Sequence, residues 1–267
     1  MDKISVVVVN YKNSEFTENL CKSLSAQKGV GIDFKTECVI VDNSCCEDEF
    51  IRLSGIAFGN IKIKLVRSNA NLGYFGGLNE GLDAANGNFI ILGNNDLYFN
   101  IDFCQKLLAT SYQQDVFAVA PNVINLDGDF QNPHLRVPMS FLQKIKLDFY
   151  FSNFYVAKIL KLVKEIFFSR RNAKQKNIDS GPIHLGIGAC YILLPQFLAR
   201  FKKLSYPHFL YGEEAYFSKQ IHDAGGVLWF DSALVVKHHE SATTSEMPRI
   251  MMYNYARDGY SDYRNFL

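Results

Sequence analysis

The chain has 267 residues, of which 48% are hydrophobic, and its formal net charge is +1. This length and hydrophobic content allow one substantial buried core, which excludes a disordered or fibrous protein. The balanced charge gives no overall attraction to nucleic acid, so we expect no nucleic-acid partner.

The six cysteines show neither a CxxC pair nor a metal-ligand spacing, which suits a reducing cytosol. The first apolar run extends only from Ile4 to Val9. It is too short for a signal peptide or a membrane span. We therefore expect a cytoplasmic protein whose first element is a strand.

The first half of the chain alternates short apolar runs with helix-length amphipathic segments. The predicted strands are Ile4–Val9, Cys38–Val41, Ile61–Val66 and Phe89–Leu92, and the predicted helices are Glu15–Gln27, Leu78–Ala85 and Phe103–Leu108. This alternation predicts an α/β fold with a doubly wound, mostly parallel central sheet and helices on both faces. Ligands bind beyond the carboxyl ends of such strands, where Asn10, Asp42 and Asp96 fall.

The second half is predicted to complete the sheet and to add two helices. The apolar runs are Val116–Ile124, Leu185–Leu194, Val227–Phe230 and Leu234–Val236, and the helical segments are Phe197–Leu204 and Glu213–Ala224. Gly225 and Gly226 are typical of a helix C-terminus. His238 and His239 follow the last strand directly.

A basic and aromatic segment, residues 136–180, lies between these strands. Three acids oppose its ten basic residues, which are Arg136, Lys144, Lys146, Lys158, Lys161, Lys164, Arg170, Arg171, Lys174 and Lys176. With its eight phenylalanines and tyrosines, the segment suits a helical insertion in a lipid headgroup layer. A solvated insertion whose aromatic residues pack on the core is the alternative.

Residues 66–96 contain a strand, a glycine turn that opens a helix, and a second strand that ends in an acid. The turn from Asn71 to Gly77 would let phosphate oxygens approach backbone N–H groups at the start of the helix near Leu78. Asn79 would project from the first helical turn. The pattern matches neither GxGxxG nor a P-loop, and an ordinary tight turn is the alternative interpretation.

Two acidic positions are candidates for cation binding and proton transfer. Asp96 could bind Mg²⁺ or Mn²⁺ together with two diphosphate oxygens and water, and a histidine after the last strand could complete the shell. Glu213 and Glu214 start a helix and could include a general base, although acids are favoured there in any case. Adjacent helical residues diverge by about 100°, so only one of the two glutamates can point into a cleft.

Asp42 is a candidate nucleobase ligand because its carboxylate could accept from the N–H of a pyrimidine ring. Capping of the following helix is the alternative. Asn10 and Tyr11, at the end of the first strand, share this ambiguity.

Six motifs follow one another along the chain: VVNY at 8–11, VDNS at 41–44, NLGYFGGLN at 71–79, LGNND at 92–96, LYGEE at 210–214 and VKHHESATTS at 236–245. In this order and spacing they resemble the family-2 glycosyltransferases, which have the GT-A fold. They are most similar to the rhamnosyltransferase-like branch that builds O-antigens and other bacterial surface polysaccharides. The resemblance covers about residues 1–132 and 183–258.

The resemblance implies an inverting transferase that uses Mg²⁺ or Mn²⁺ and a UDP- or dTDP-sugar donor. The acceptor would be a glycan or a lipid-linked saccharide, reached from the cytoplasmic side with possible peripheral contact with the inner membrane. Residues 1–132 would bind the nucleotide sugar, 133–182 would be the insertion, and 183–267 would hold the acceptor and the base, all in one domain.

The resemblance also implies a role for each matched residue. The residues that would contact the nucleotide sugar are Asn10, Tyr11, Asp42, Asn71, Gly76, Gly77 and Asn79. The metal-binding DxD position would be Asn94, Asn95 and Asp96, and the late metal ligand would be His238. The acidic pair that contains the base would be Glu213 and Glu214. Residues 255–258 are similar to a YxxRN-like element.

The chain departs from the family pattern at three places. Asn94 replaces the first DxD acid and removes one charge, and Glu214 replaces the usual aspartate. Glu240 and Ser241 stand where glycine is common, which leaves the choice between His238 and His239 open.

Two other functions remain compatible with the sequence. A sugar-phosphate nucleotidyltransferase shares a similar core but normally has a glycine-rich basic loop after the first strand, and residues 10–14 contain no glycine. A non-catalytic partner subunit would bind a transferase through the basic aromatic segment.

Overall fold

A computed structural model describes residues 1–167, 178–240 and 249–267. The strands are β1 Lys3–Asn10, β2 Lys35–Asp42, β3 Lys62–Arg67, β4 Phe89–Asn94, β5 Leu97–Phe99, β6 Val116–Asn125, β7 Gly181–Ile183, β8 Cys190–Leu193 and β9 Val227–His238. The helices are α1 Ser14–Ser25, α2 Glu47–Ser54, α3 Gly73–Ala84, α4 Phe103–Ala109, α5 Phe141–Ser152, α6 Phe154–Phe167, α7 Pro195–Arg200, α8 Glu213–Asp223 and α9 Arg249–Tyr263.

Within the described residues the nine strands form one sheet in the order β3-β2-β1-β4-β8-β6-β9-β5, with β7 paired to β9. β1, β2, β3, β4, β6 and β9 run in one direction, and β5, β7 and β8 oppose them. The prediction of a mostly parallel sheet is therefore confirmed.

Helices cover both faces of the sheet, as predicted. Along β1 the side chains of Val6 and Val8 face a cluster that includes Leu20 of α1 and Phe103 of α4. Val7 faces the opposite cluster, which contains side chains of α3, α7 and α8. Burial of both faces explains the continuous apolar sequence of this strand.

The structure corrects several element bounds. α3 begins at Gly73 instead of near Leu78, and β5, β7 and α9 had no prediction of their own. The helix expected after Asp42 is α2. The two strands predicted at residues 227–236 are one strand, β9. Its register against β6 jumps from Asp231 to Val235, and such a bulge interrupts the apolar pattern without ending the strand.

The insertion contains α5 and α6, and α5 is fixed to the C-terminal helix α9. Arg264, the residue after α9, binds Asp148 with two guanidinium nitrogens, and the Tyr260 hydroxyl of α9 donates to Asp148 at 2.7 Å. Phe151 stacks on Tyr260 with ring centroids 4.5 Å apart. The predicted insertion residues Arg170, Arg171, Lys174 and Lys176 lie outside the described residues.

None of the helices in residues 1–167, 178–240 and 249–267 has both the length and the apolar character that a membrane crossing requires.

Candidate active site

A cleft of about 500 Å³ opens at the carboxyl edge of the sheet. The parallel register brings this edge together, because Asn10 lies opposite Asp42 and Val9 lies opposite Asn94. The predicted site residues that line the cleft are Tyr11, Asn71, Asn94, Asn95, Asp96, Glu213, Glu214 and His238. Side chains from both halves of the sequence thus share one cavity.

His238 faces Asp96 across the cleft. Its Nε2 atom lies 3.3 Å from Asp96 Oδ1 and 3.1 Å from Asn94 Nδ2. His239 lies outside this arrangement, since its ring packs on Phe16 with centroids 4.9 Å apart. The geometry therefore selects His238 as the histidine of the cleft.

Gln131 determines which nitrogen of His238 carries the proton. The amide nitrogen of Gln131 donates to the Glu240 carboxylate, which can only accept when ionised. The amide oxygen of Gln131 is thereby turned to His238 Nδ1, at 2.8 Å. Nδ1 must donate to this oxygen, so the tautomer that is compatible with metal binding presents the lone pair of Nε2 to Asp96.

The Nε2 lone pair of His238 faces a carboxylate oxygen of Asp96 at 3.3 Å. Two such atoms are suitable ligands for one divalent cation that lies between them. Orientation of a ligating histidine through its other nitrogen is common in metal sites. Among the residues that the structure describes, no group of three or more His, Cys, Asp or Glu could hold a metal ion. The remaining ligands would have to be substrate oxygens or water.

The first turn of α3 forms another wall of the cleft. Asn71 Oδ1 accepts from the Gly73 N–H and Asn43 Oδ1 accepts from the Leu72 N–H, each at 3.0 Å. Gly73 has φ +72°, and an added Cβ would lie 2.2 Å from the Phe209 carbonyl oxygen, so only glycine fits. The N–H groups that follow meet no acceptor within the helix and favour an anion.

The two glutamates at the start of α8 differ in environment. Burial, and secondly the adjacent charge of Glu214, raise the pKa of Glu213 to about 8. Glu214 is half-buried, and its Oε1 accepts from the Gly188 N–H at 3.2 Å. The Gly188 carbonyl in turn accepts from the Tyr74 hydroxyl at 3.1 Å. One peptide segment therefore connects α3 with Glu214.

Asn10, a predicted nucleotide contact, lies behind the cleft and beside Asn95. It is fully buried and does not line the cleft. Its Nδ2 donates to Glu49, while its Oδ1 accepts from Thr17 and lies 3.1 Å from Asn95 Nδ2. Asn10 was predicted from its place at the strand end, but its side chain turns inwards and positions Asn95.

Asp42 is also fully buried and does not line the cleft, although its neighbour Asn43 does. It does not cap α2, which begins at Glu47. Its Oδ1 accepts from the Ser44 N–H at 3.0 Å. Its Oδ2 is buried without a hydrogen-bond partner among the described residues. Such an atom is costly to bury unless a ligand supplies a donor.

Gly76, Gly77 and Asn79, which the resemblance assigns to the donor, do not line the cleft. An added Cβ on Gly77 would lie 2.8 Å from Val9 Cγ2, so this glycine allows close packing of α3 on β1. Both ends of the Asn79 amide bind the backbone of Leu204. Because α3 begins at Gly73, these residues lie inside the helix and not at its terminus.

Sequence reasoning missed several residues of the site, among them Gly73, Asn43, Gly188 and Gln131. Asn43 and Gly73 lie inside recognised motifs, so a correct start for α3 would have found them. Gly188 and Gln131 lie outside those motifs, and no local pattern marked them.

Comparison with known proteins gives an independent result. The sequence model of the family described as Glycosyl transferase family 2 matches residues 5–194. The low-salt glycan biosynthesis hexosyltransferase Agl10 of Haloferax volcanii is 29% identical over 140 residues. That match covers 48% of this chain and 39% of Agl10, so it spans well under two thirds of the relative's length.

Solved structures resemble this one at low sequence identity. TarS 1–349 of S. aureus in complex with UDP-GlcNAc has a TM-score of 0.58 and 15% identity over 92% of this chain and 61% of that one. The mannosyltransferase PcManGT from Pyrobaculum calidifontis, in complex with GDP-Man and Mn²⁺, has a TM-score of 0.56 and 14% identity over 91% and 58%. GalNAc-T7 with UDP, GalNAc and Mn²⁺ has a TM-score of 0.57 and 18% identity over 90% and 44%. These similarities confirm the predicted GT-A fold.

Proposed function

The chain belongs to glycosyl transferase family 2, and from this membership we propose the reaction that it catalyses. The chain is a glycosyltransferase. The proposed reaction is inverting transfer of a sugar from a nucleoside diphosphate sugar to a hydroxyl of a glycan or lipid-linked saccharide. The observation that supports it is the convergence of Asp96, His238, Glu214 and the first turn of α3 on one cleft.

The donor would lie between the α3 terminus and the Asp96–His238 pair. The positive end of the α3 dipole favours the negative charge of a diphosphate. The orphan Oδ2 of Asp42 would accept from the ring N–H of a pyrimidine base, which supports a UDP- or dTDP-sugar. Asn43 and Asn71 would hold the turn in the shape that binds the phosphates.

Asp96 and His238 would hold Mg²⁺ or Mn²⁺, with Asn94 and Asn95 beside them. When bound, such a cation offsets the charge that develops on the departing diphosphate. Gln131 keeps His238 in the tautomer that presents Nε2 to the cation. Asn10 holds Asn95 in place, because its Oδ1 accepts from Asn95 Nδ2 at 3.1 Å.

Glu214 would act as the general base. Its carboxylate would take the proton of the acceptor hydroxyl while that oxygen bonds to the anomeric carbon and the bond to the diphosphate breaks on the opposite side. The raised pKa of Glu213 keeps that carboxyl protonated near neutral pH, and a protonated carboxyl cannot accept the proton.

The biological setting is a further part of the proposal. The motif set resembles rhamnosyltransferase-like enzymes, which supports a role in O-antigen, capsule or other surface polysaccharide assembly on the cytoplasmic face of the inner membrane. Residues 1–132, 133–182 and 183–267 would act together as one catalytic domain. A lipid-linked acceptor would require contact with a membrane, and the insertion is the segment that we expect to supply it.

Incubation with UDP- and dTDP-sugars, with Mg²⁺ or Mn²⁺ and without acceptor, tests the proposal. We expect slow hydrolysis of one donor class that requires the metal, together with thermal stabilisation by the same donor. Asp96→Asn should lose both responses. If no donor of either class is hydrolysed or stabilises the protein with either metal, the proposed reaction is wrong.

A further inference from the structure

The surface of the insertion is unusually apolar. Among the described residues, seven of the sixteen exposed large hydrophobic side chains lie between Val137 and Leu160. Single exposed apolar residues are ordinary on a protein surface, but a concentration of them marks an interaction site. This concentration marks the insertion as a candidate interaction surface that is separate from the cleft.

The exposed side chains occupy defined faces of the two helices. On α5, Leu142 and Phe149 are 70% and 64% exposed and lie two turns apart, with Lys146 between them. On α6, Tyr155 and Ile159 are 70% and 60% exposed and lie one turn apart. In a helix these spacings place each set on one side.

The opposite side of α5 packs against α9 and the residues that follow it. Leu147 and Phe151 pack against a cluster that contains Tyr260 and Tyr263 of α9, and Asp148 is bound to Arg264. This anchor prevents α5 from turning its apolar face inwards.

The charge around the exposed faces is positive. Lys146, Lys158 and Lys161 are exposed, and Asp148 is the only acid in residues 141–161 of the sequence. Its charge is balanced by Arg264. A second copy of the chain would bring like charges together, whereas an anionic lipid surface would attract the lysines and admit the apolar side chains.

We propose that α5 and α6 bind the protein to the surface of a membrane that contains anionic lipids. The apolar side chains of both helices enter the boundary between headgroups and acyl chains, and the lysines remain at the phosphate level. This proposal does not depend on the sugar that is transferred, because lipid binding is measured without donor or acceptor.

Flotation with lipid vesicles tests the proposal on the full chain. We expect binding to phosphatidylcholine vesicles that contain about a third of phosphatidylglycerol, weaker binding at high salt, and little binding to phosphatidylcholine alone. The double variant Phe149→Ser, Ile159→Ser should bind the anionic vesicles at least about tenfold more weakly, since two apolar side chains no longer enter the lipid. Ile51→Ser is the matched control, because Ile51 is 58% exposed on α2.

A second pair of variants tests the electrostatic part. Lys146→Glu with Lys158→Glu should abolish the preference for anionic vesicles, and Lys202→Glu, at another exposed lysine, should retain it. Thermal unfolding of each variant shows that the fold is intact, and donor-induced stabilisation reports on the cleft separately.

The proposal is overturned if the unchanged chain fails to bind anionic vesicles or if all variants bind them equally. It is also overturned if sedimentation shows a dimer that the same substitutions dissociate and lipid binding is absent.

Discussion

The Nε2 atom of His238 lies 3.3 Å from Oδ1 of Asp96, although the two residues come from opposite halves of the chain. The short strand β5 brings them together, because Leu97 pairs with His238 in the antiparallel register of β5 and β9. Asp96 immediately precedes that strand. Sheet pairing thus places the carboxylate beside the imidazole.

Gln131→Met should weaken metal binding without disturbing the fold. The methionine thioether is only a weak acceptor for the Nδ1–H of His238, so the ring loses its fixed tautomer and orientation. Loss of such a supporting contact typically costs 10- to 100-fold in metal affinity. Electron paramagnetic resonance of free Mn²⁺ in the presence of UDP measures this loss, and nitrogen NMR of the His238 ring reports the tautomer. Gln114→Met, at an exposed position, serves as the control; equal Mn²⁺ affinity in both variants would exclude a positioning role for Gln131.

Glu214→Gln should retain donor binding and lose transfer by at least about 100-fold, the contribution typical of a general base. The amide keeps the shape of the side chain but cannot take a proton. Donor titration by calorimetry beside a transfer assay separates the two effects. Glu213→Gln is the comparison variant and should keep more activity. Full transfer by Glu214→Gln would remove the proposed base.

Gly188→Ala should reduce activity more than stability. An added Cβ would lie 2.8 Å from Glu214 Oε1 and 3.2 Å from its Cδ, so the carboxylate must move away from the position that the Gly188 N–H holds. Because the end of a glutamate side chain moves easily, we expect a small change in melting temperature and at least about a tenfold loss of kcat. Gly59→Ala is the control, since an added Cβ there meets no atom within 4 Å. Unchanged kcat in Gly188→Ala would show that the contact does not position the base.

The buried Glu213 should make the protein less stable as the pH rises. Its pKa is raised from 4.5 to about 8 in the folded chain, so between these values the unfolded carboxyl loses its proton while the folded one keeps it. The unfolding free energy then falls with increasing pH by up to about 1.4 kcal/mol per pH unit. Glu213→Gln removes this titration.

The stability difference between Glu213→Gln and the unchanged chain should therefore increase from pH 5 to pH 8 in favour of the variant. Urea unfolding at several pH values measures it, and Glu15→Gln, which removes an exposed acid from the first turn of α1, provides the control. A difference that does not change with pH would mean that Glu213 ionises as readily in the folded chain as in the unfolded one.

The sequence by itself determined the alternating α/β architecture and the edge of the sheet at which the cleft opens. Continuous apolar runs such as Ile4–Val9 can only be buried on both faces, and the register of parallel strands then brings Asp96 and the 71–77 turn to one edge. The family motifs similarly indicated Glu213, Glu214 and His238, because these positions depend on local order and spacing.

Only the tertiary structure decided how individual side chains are used. Asn10 and Asn79 are polar and lie near the expected edge, yet their amides bind other parts of the protein, since a buried amide takes whichever partners the packing supplies. Gln131 and Gly188 became visible only when distant segments met at His238 and Glu214. The physical reason is that hydrophobic periodicity specifies the direction in which a strand or helix faces, whereas the pairing of polar groups depends on contacts between residues far apart in the chain.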